Sequence, residues 1–154
     1  MSSPRRIATL ASFLVATTVA APLALAKQPS VKCPDAVSAA IKKAFPTGTI
    51  RSCKAEHEDG ADQFEVKVKN GTTKLEVDVA PDGTIKQIEQ RIAVDSVPAA
   101  VMKAFAAKYP KAEATRAERQ QHADKSVCFE LGFKTEQRKH EATFTDAGAF
   151  VEEE

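Results

Sequence analysis

The feature that most constrains this chain is an internal echo. The run Pro34-Asp35-Ala36-Val37, continuing to Ala44-Phe45-Pro46, returns 64 residues later as Pro98-Ala99-Ala100-Val101, continuing to Lys108-Tyr109-Pro110. Phe64-Glu65-Val66-Lys67-Val68-Lys69 returns as Phe129-Glu130-Leu131-Gly132-Phe133-Lys134 at a spacing of 65. Lys74, Glu76 and Gly83 find Lys139, Glu141 and Gly148 at that same spacing of 65. A one-residue slip in a variable loop accounts for the change. Self-similarity at a fixed period marks a chain built by repeating one supersecondary unit.

Each copy opens on a helix. Pro34 suits a first helical turn, where its missing N–H has no partner to lose. Val37, Ala40, Ile41 and Ala44 then follow the i, i+3, i+4, i+7 spacing of one buried face. Pro46 stops the helix, because it disfavours helical geometry in the residue before it. Val101, Ala104 and Phe105 lie on the equivalent stripe of the second copy, which closes at Pro110.

Strands follow. Phe64, Val66 and Val68 alternate with Gln63, Glu65 and Lys67, giving one apolar and one polar face. Asn70-Gly71 is a preferred dipeptide for a two-residue hairpin turn. A hairpin closed there sets Val66 opposite Leu75 and Phe64 opposite Val77. A second turn at Pro81-Asp82-Gly83 leads to a strand from Ile85 to Glu89. In the second copy Phe129, Leu131 and Phe133 share the inner face with Ala142 and Phe144, and Phe150 follows Gly148. Weaker strands, Thr49 to Glu58 and Ala112 to His122, fill the gap after each helix. The predicted class is α+β: a tandem repeat of a helix plus a four-stranded antiparallel sheet, with the helices packed on one face of the sheet. The modules span residues 27–90 and 91–154, with Glu89 to Ser96 a short join. A module of roughly 60 residues is marginal alone, so the two are expected to share one sheet.

Residues 1–26 read as a leader rather than as fold. Arg5 and Arg6 form a basic start, Ile7 to Ala20 is an apolar run, and Ala24-Leu25-Ala26 offers small residues at a cleavage site. The run is shorter than the roughly 20 residues a membrane span requires, and Pro22 closes it. No lipobox precedes Cys33. Of the 22 Lys and Arg, Arg5 and Arg6 leave with the leader, so the mature chain carries one more acid than base. Such a chain lacks the positive field that phosphate backbones require, which argues against nucleic acid. A periplasmic or secreted location is expected, with no stable membrane anchor after cleavage.

The small-residue helix, Phe105-Ala106-Ala107-Lys108-Tyr109-Pro110 and the strand residues ending at Thr145-Asp146-Ala147-Gly148 resemble the PepSY-like domains. Val97-Pro98 and Phe129-Glu130-Leu131 belong to the same pattern, and Phe45-Pro46 with Pro81-Asp82-Gly83 carry it in the first copy. These are exported bacterial domains, often in tandem, with a fold similar to β-lactamase-inhibitory protein. The resemblance spans essentially the whole mature chain. It implies peptidase-related inhibition or envelope signalling, and it brings no catalytic residues with it.

Candidate chemistry is sparse. A helix from Pro34 to Phe45 rises about 16 Å, and a strand from Thr49 recovers about 13 Å by Cys53. Cys33 and Cys53 therefore lie at similar heights, and their counterparts in the second copy, Val97 and Ala117, are both apolar, as an interior contact requires. An oxidising compartment favours a disulfide between them; two separate buried thiols are the other reading. Cys128 alternates onto the polar face as a semi-exposed thiol. In the shared register it lies opposite Thr143, while His140 lies opposite Leu131 on the other face. A nucleophile without a base beside it is not activated. His57, His122 and His140 form no metal spacing, and Glu56, Glu58, Asp59 and Asp62 read as a solvated acidic turn rather than a calcium loop. No phosphate loop, nucleophile elbow or dinucleotide fingerprint occurs, so no cofactor is expected. Glu152-Glu153-Glu154 reads as a solvated tail.

The outer sheet face remains. It presents Glu65, Lys67, Lys74 and Glu76 from one copy and Glu130, Lys139 and Glu141 from the other. Diagonal pairing of Glu65 with Lys74 and of Lys67 with Glu76 is expected. This face is the candidate docking surface for an envelope or secreted protein, possible inhibition of a peptidase or other hydrolase included, and no enzyme activity is expected. A small-ligand or metal-responsive envelope sensor is the alternative function.

Overall fold

The computed structural model describes residues 32–58, 60–136 and 138–154; the leader read from residues 1–26 lies outside them. Proline sets the start of each helix. Pro34 and Pro98 sit at the N-cap positions of α1 (Asp35–Ala44) and α2 (Ala99–Lys108) with φ of −56° and −55°. A ring already locked near that angle costs the backbone nothing there. The apolar stripes face inward as the spacing predicts: α1 buries Val37 and Ile41, and α2 buries Val101 and Phe105.

Four antiparallel strands follow each helix. After α1 come β1 (Thr49–Glu58), β2 (Ala61–Asn70), β3 (Thr73–Val79) and β4 (Ile85–Ile92). After α2 come β5 (Arg116–His122), β6 (Val127–Thr135), β7 (Arg138–Thr145) and β8 (Phe150–Glu153). They do not form two sheets. β4 pairs with β5 from Gln87↔His122 to Ile92↔Ala117, so all eight strands lie in chain order in one antiparallel sheet.

The core is split beneath that sheet. Val37, Ile41, Cys53, Val66, Val68, Leu75, Val77 and Val79 pack together under α1. A second cluster, rich in phenylalanine, gathers Val101, Phe105, Phe129, Leu131, Phe133 and Phe144 under α2. Between the two, β4 and β5 turn Gln90 and Arg119 toward the helix side, directly opposite each other. Cys33, just before α1, is bonded to Cys53 on β1, with S–S 2.06 Å and Cα–Cα 5.4 Å.

Several boundaries and registers differ from the sequence reading. The first hairpin closes on Gly71-Thr72, with Asn70 still paired to Thr73, so Val66 faces Val77 and Phe64 faces Val79. Gly71 has φ 61°, which suits a II′ turn with glycine in its first central position. The second hairpin shifts in the same way: Cys128 faces Thr145, Leu131 faces Ala142 and Phe133 faces His140. A shift of two leaves alternation untouched, so every side chain keeps its predicted face. β4 runs on to Ile92, which reduces the join to a short 3-10 turn, Val94–Ser96. β5 begins only at Arg116, because Ala112 and Ala114 pack against the second core instead of pairing. The glutamate tail is not free: Glu152 and Glu153 belong to β8, and Glu154 exchanges backbone hydrogen bonds of 2.9 and 2.8 Å with Glu141.

Each helix is also held from its side by a turn. Gly83 and Gly148 have φ of 91° and 85°. A Cβ at Gly83 would stand 2.9 Å from the carbonyl oxygen of Ala36, and one at Gly148 would stand 2.7 Å from that of Ala100. Gly60 shares the positive φ, at 75°, but a Cβ there meets nothing within 4 Å. Gly148→Ala and Gly83→Ala are therefore expected to lower stability by at least about 1 kcal/mol more than Gly60→Ala does. Urea unfolding of the three variants checks this, and equal losses would remove the close-approach argument.

Candidate functional site

Alternation along the strands builds one continuous polar surface on the side away from the helices. Glu65, Lys67, Lys74 and Glu76 lie on it in register as Glu65↔Asp78, Lys67↔Glu76 and Lys69↔Lys74. Glu130, Lys139 and Glu141 lie on it as Glu130↔Thr143, Gly132↔Glu141 and Lys134↔Lys139. The expected diagonal between Glu65 and Lys74 is not made, since the shifted hairpin puts Asp78 across from Glu65. Lys67 instead serves both neighbours, its Nζ lying 3.0 Å from Glu76 Oε1 and 3.6 Å from Glu65 Oε1.

The second half solves the same charge problem differently. Gly132 occupies the register place of Lys67, and a Cβ on it would come within 3.1 Å of the Arg116 Cβ. The Arg116 side chain, from the neighbouring strand, crosses that gap. Its Nη2 donates to Glu130 Oε1 at 3.0 Å and its Nη1 to Glu141 Oε1 at 2.8 Å. Nε stands 3.3 Å from Glu118 Oε1 but is not aligned to form a hydrogen bond.

Between these two clusters runs a groove of about 490 Å³, bordered by Glu58, Asp78, Glu89, Glu130, Glu141 and Glu152. Buried amides form part of its wall. Gln120, 7% exposed, donates from Nε2 to Glu130 Oε2 at 3.2 Å and to Glu89 Oε1 at 3.4 Å. Gln63, 3% exposed, donates to Glu58 and accepts from Lys86 Nζ at 2.7 Å. The acids here hold protons unusually well. Burial, then the charges of Glu89 and Glu58, pushes Asp78 up to about 7. Burial and Glu141 likewise push Glu130 up to about 7 against the pull of Arg116. Burial also raises Glu89. Toward one end of the face bases are in excess: a second hollow of about 440 Å³ is lined by Arg51, Lys67, Lys69, Lys74 and Arg91 together with Glu76, Glu89 and Glu118.

Cys128 borders the groove but is buried, at 8% exposure, rather than semi-exposed. Burial first, then Asp146 and Asp124, raises its thiol, so it stays protonated. Its partners across the ladder are Gln120 and Thr145, neither of them a base. His140 is on the helix side, stacked on Phe133 at 5.2 Å. Glu56, Glu58 and Asp62 prove to be strand residues, and Asp59 lies outside the described residues. Among the described residues no group of three or more His, Cys, Asp or Glu is placed to hold a metal ion.

A family model described as "Putative beta-lactamase-inhibitor-like, PepSY-like" matches residues 26–87 and 62–152. The chain belongs to the PepSY-like family. A Bacteroides eggerthii structure described among "putative periplasmic proteins" superposes with TM-score 0.66 at 23% identity, covering 80% of this chain and 88% of its own. A DUF2874 family protein from Bacteroides uniformis gives TM-score 0.65 at 21% identity, over 79% and 88% of the two chains. A BLIP-like protein from Bacteroides fragilis gives 0.62 at 20% identity, over 79% and 85%. Identities this low carry the fold alone. No curated protein matches. No helix among the described residues is long and apolar enough to cross a membrane.

Three outer-face residues of β5 in this PepSY-like chain escape a reading by pattern. Arg116, Glu118 and Gln120 alternate outward on β5, but the inward positions between and beyond them include Arg119 and Gln121, so the strand shows no apolar rhythm. Glu89 is two strands from Glu130, and only the joining of β4 to β5 brings both to Gln120.

The raised acids make stability depend on pH in a defined direction. Asp78, with a folded pKa of about 7, keeps its proton in the folded chain where the unfolded chain, near 4, has lost it. That contribution is present at acid pH and declines as pH rises through about 7. Asp78→Asn, which mimics the protonated acid, is expected to match the wild type below about pH 4 and to exceed its thermal midpoint by a margin that grows up to about pH 7. A constant difference across that range, read by circular dichroism melts, would show that Asp78 titrates like an exposed acid.

Proposed function

We propose that this chain is an exported, non-catalytic docking module that seats a protein partner on its outer sheet face, and that the partner is a peptidase or other hydrolase held inactive. The observation that carries the reading is segregation of charge on that face. The segregation is one of excess: seven acids border the half-buried groove against Lys86 and His122, and the adjoining hollow carries five bases against three acids. Complementary potential of this kind steers encounter and fixes orientation more than it adds raw affinity. The family description and the BLIP-like neighbour support inhibition as the use of such a face, by analogy of fold. The leader pattern supports export, and the disulfide suits an oxidising compartment.

The two halves are read as copies of one helix-plus-four-strand unit. In support, Gly83 meets Ala36 in the first half as Gly148 meets Ala100 in the second.

Cross-linked capture with the mature chain from native envelope extract tests the docking. We expect a hydrolase among the captured proteins, and its loss when Glu65→Lys, Lys67→Glu and Glu141→Lys are combined. Capture that is empty, or unchanged by the triple charge reversal, would sink the reading.

A further inference from the structure

The groove's own charge balance specifies what enters it. Lys67 and Arg116 take up Glu65, Glu76, Glu130 and Glu141. Among the described residues Glu89 receives only amide donors, Gln87 Nε2 at 2.6 Å and Gln120 Nε2 at 3.4 Å. Asp78, half-buried between Glu65 and Gln87, has no ion-pair or hydrogen-bond partner on its side chain among the described residues. Lys86 is at the groove's border, and the contact its ammonium makes there is with Gln63 Oε1 at 2.7 Å. Two carboxylates in the middle of the groove are thus left without a cation.

A second feature points the same way. Thr143 lines the groove opposite both Glu130 and Glu152 and is 7% exposed. Its hydroxyl makes no hydrogen bond among the described residues. It offers lone pairs to a donor entering from the groove. Neighbouring strands lie about 4.8 Å apart. Asp78 on β3, Glu89 on β4, Glu130 on β6 and Thr143 on β7 therefore form a line of acceptors running across the strands. An ammonium or guanidinium supplies several donors and no acceptor, which is the complement of such a line.

We propose that the groove takes the lysine or arginine side chains of a basic segment in the docked partner, with Asp78 and Glu89 as the carboxylates that receive them and Thr143 as a further acceptor. This rests on the docking reading and adds the partner's chemistry to it. The hollow at Lys69, Lys74 and Arg91, where bases outnumber Glu76, Glu89 and Glu118, suits acidic residues of the partner beside the basic segment. Acidic segments are disfavoured, since they would set like charges against the two carboxylates.

Tetralysine, tetraglutamate and spermidine, titrated into the mature chain at low ionic strength and followed by NMR, test the inference. Tetralysine is expected to bind, to weaken by at least about tenfold in Asp78→Asn/Glu89→Gln, and to weaken measurably in Thr143→Val. Asp95→Asn/Glu113→Gln, which removes the same charge from exposed sites outside the groove, is expected to bind as the wild type does. Tetraglutamate is expected not to bind. Absent tetralysine binding, or equal affinity for both double variants, overturns the proposal. Spermidine binding more tightly than tetralysine with the same dependence on Asp78 and Glu89 overturns the polypeptide occupant in favour of a small polycation. Failure here, with capture still abolished by reversal at Glu65, Lys67 and Glu141, removes the basic segment and leaves docking intact. Unfolding midpoints of all variants at pH 8 identify any loss that comes from misfolding, and Thr143→Val keeps the shape of the site should the double variant be impaired.

Discussion

The ladder between β4 and β5 is the interaction on which the rest depends. Each half has its own core, and a unit of roughly 60 residues buries too little surface to be secure alone. Hydrogen bonding from Gln87↔His122 to Ile92↔Ala117 turns two such units into one sheet and removes two exposed edges at once. It also creates the groove. Glu89 comes from the first half and Gln120 and Glu130 from the second, so their meeting exists only because the seam exists.

Electrostatics on the outer face follow from placing acids close together on a half-buried surface. The first half confronts two glutamates and the second three, and each sets one cation among them. In the first half the cation stands in the strand itself, at Lys67; in the second it reaches in from β5, over a glycine that leaves room. At Asp78 and Glu89 no cation pairs with the carboxylate, and burial raises the proton affinity of both, as it does for Glu130 even beside Arg116. That contrast separates a neutralised structural pair from a site with unmet demand.

Much of this architecture was legible in the residues. Prolines and apolar spacing gave both helices, and strict alternation gave β2, β3, β6 and β7 their faces. Register was less legible. Asn70-Gly71 is a good turn pair, yet the chain uses Gly71-Thr72, and nothing in the local pattern distinguishes two closures that keep the same side-chain faces. β5 was weak because its inner positions are polar where they lie between the two cores. Cys128 was placed on the correct face but given too much exposure, since burial there depends on what β5 and β8 add around it. The candidate docking residues did fall on one surface. The division of that surface into acidic and basic parts depends on β4 and β5, whose outer residues the pattern left unassigned.

The split core has a mechanical consequence. Side chains packed between helix and sheet stiffen each half, but in the middle of the seam the helix side carries Gln90 and Arg119, and the second core reaches across it at one end through Ile92 and Ala117. Bending should concentrate there, much as a board bends along a scored line. Because the groove straddles the same line on the opposite side, a change in its width comes from two rigid plates tilting against each other rather than from loops moving within either one.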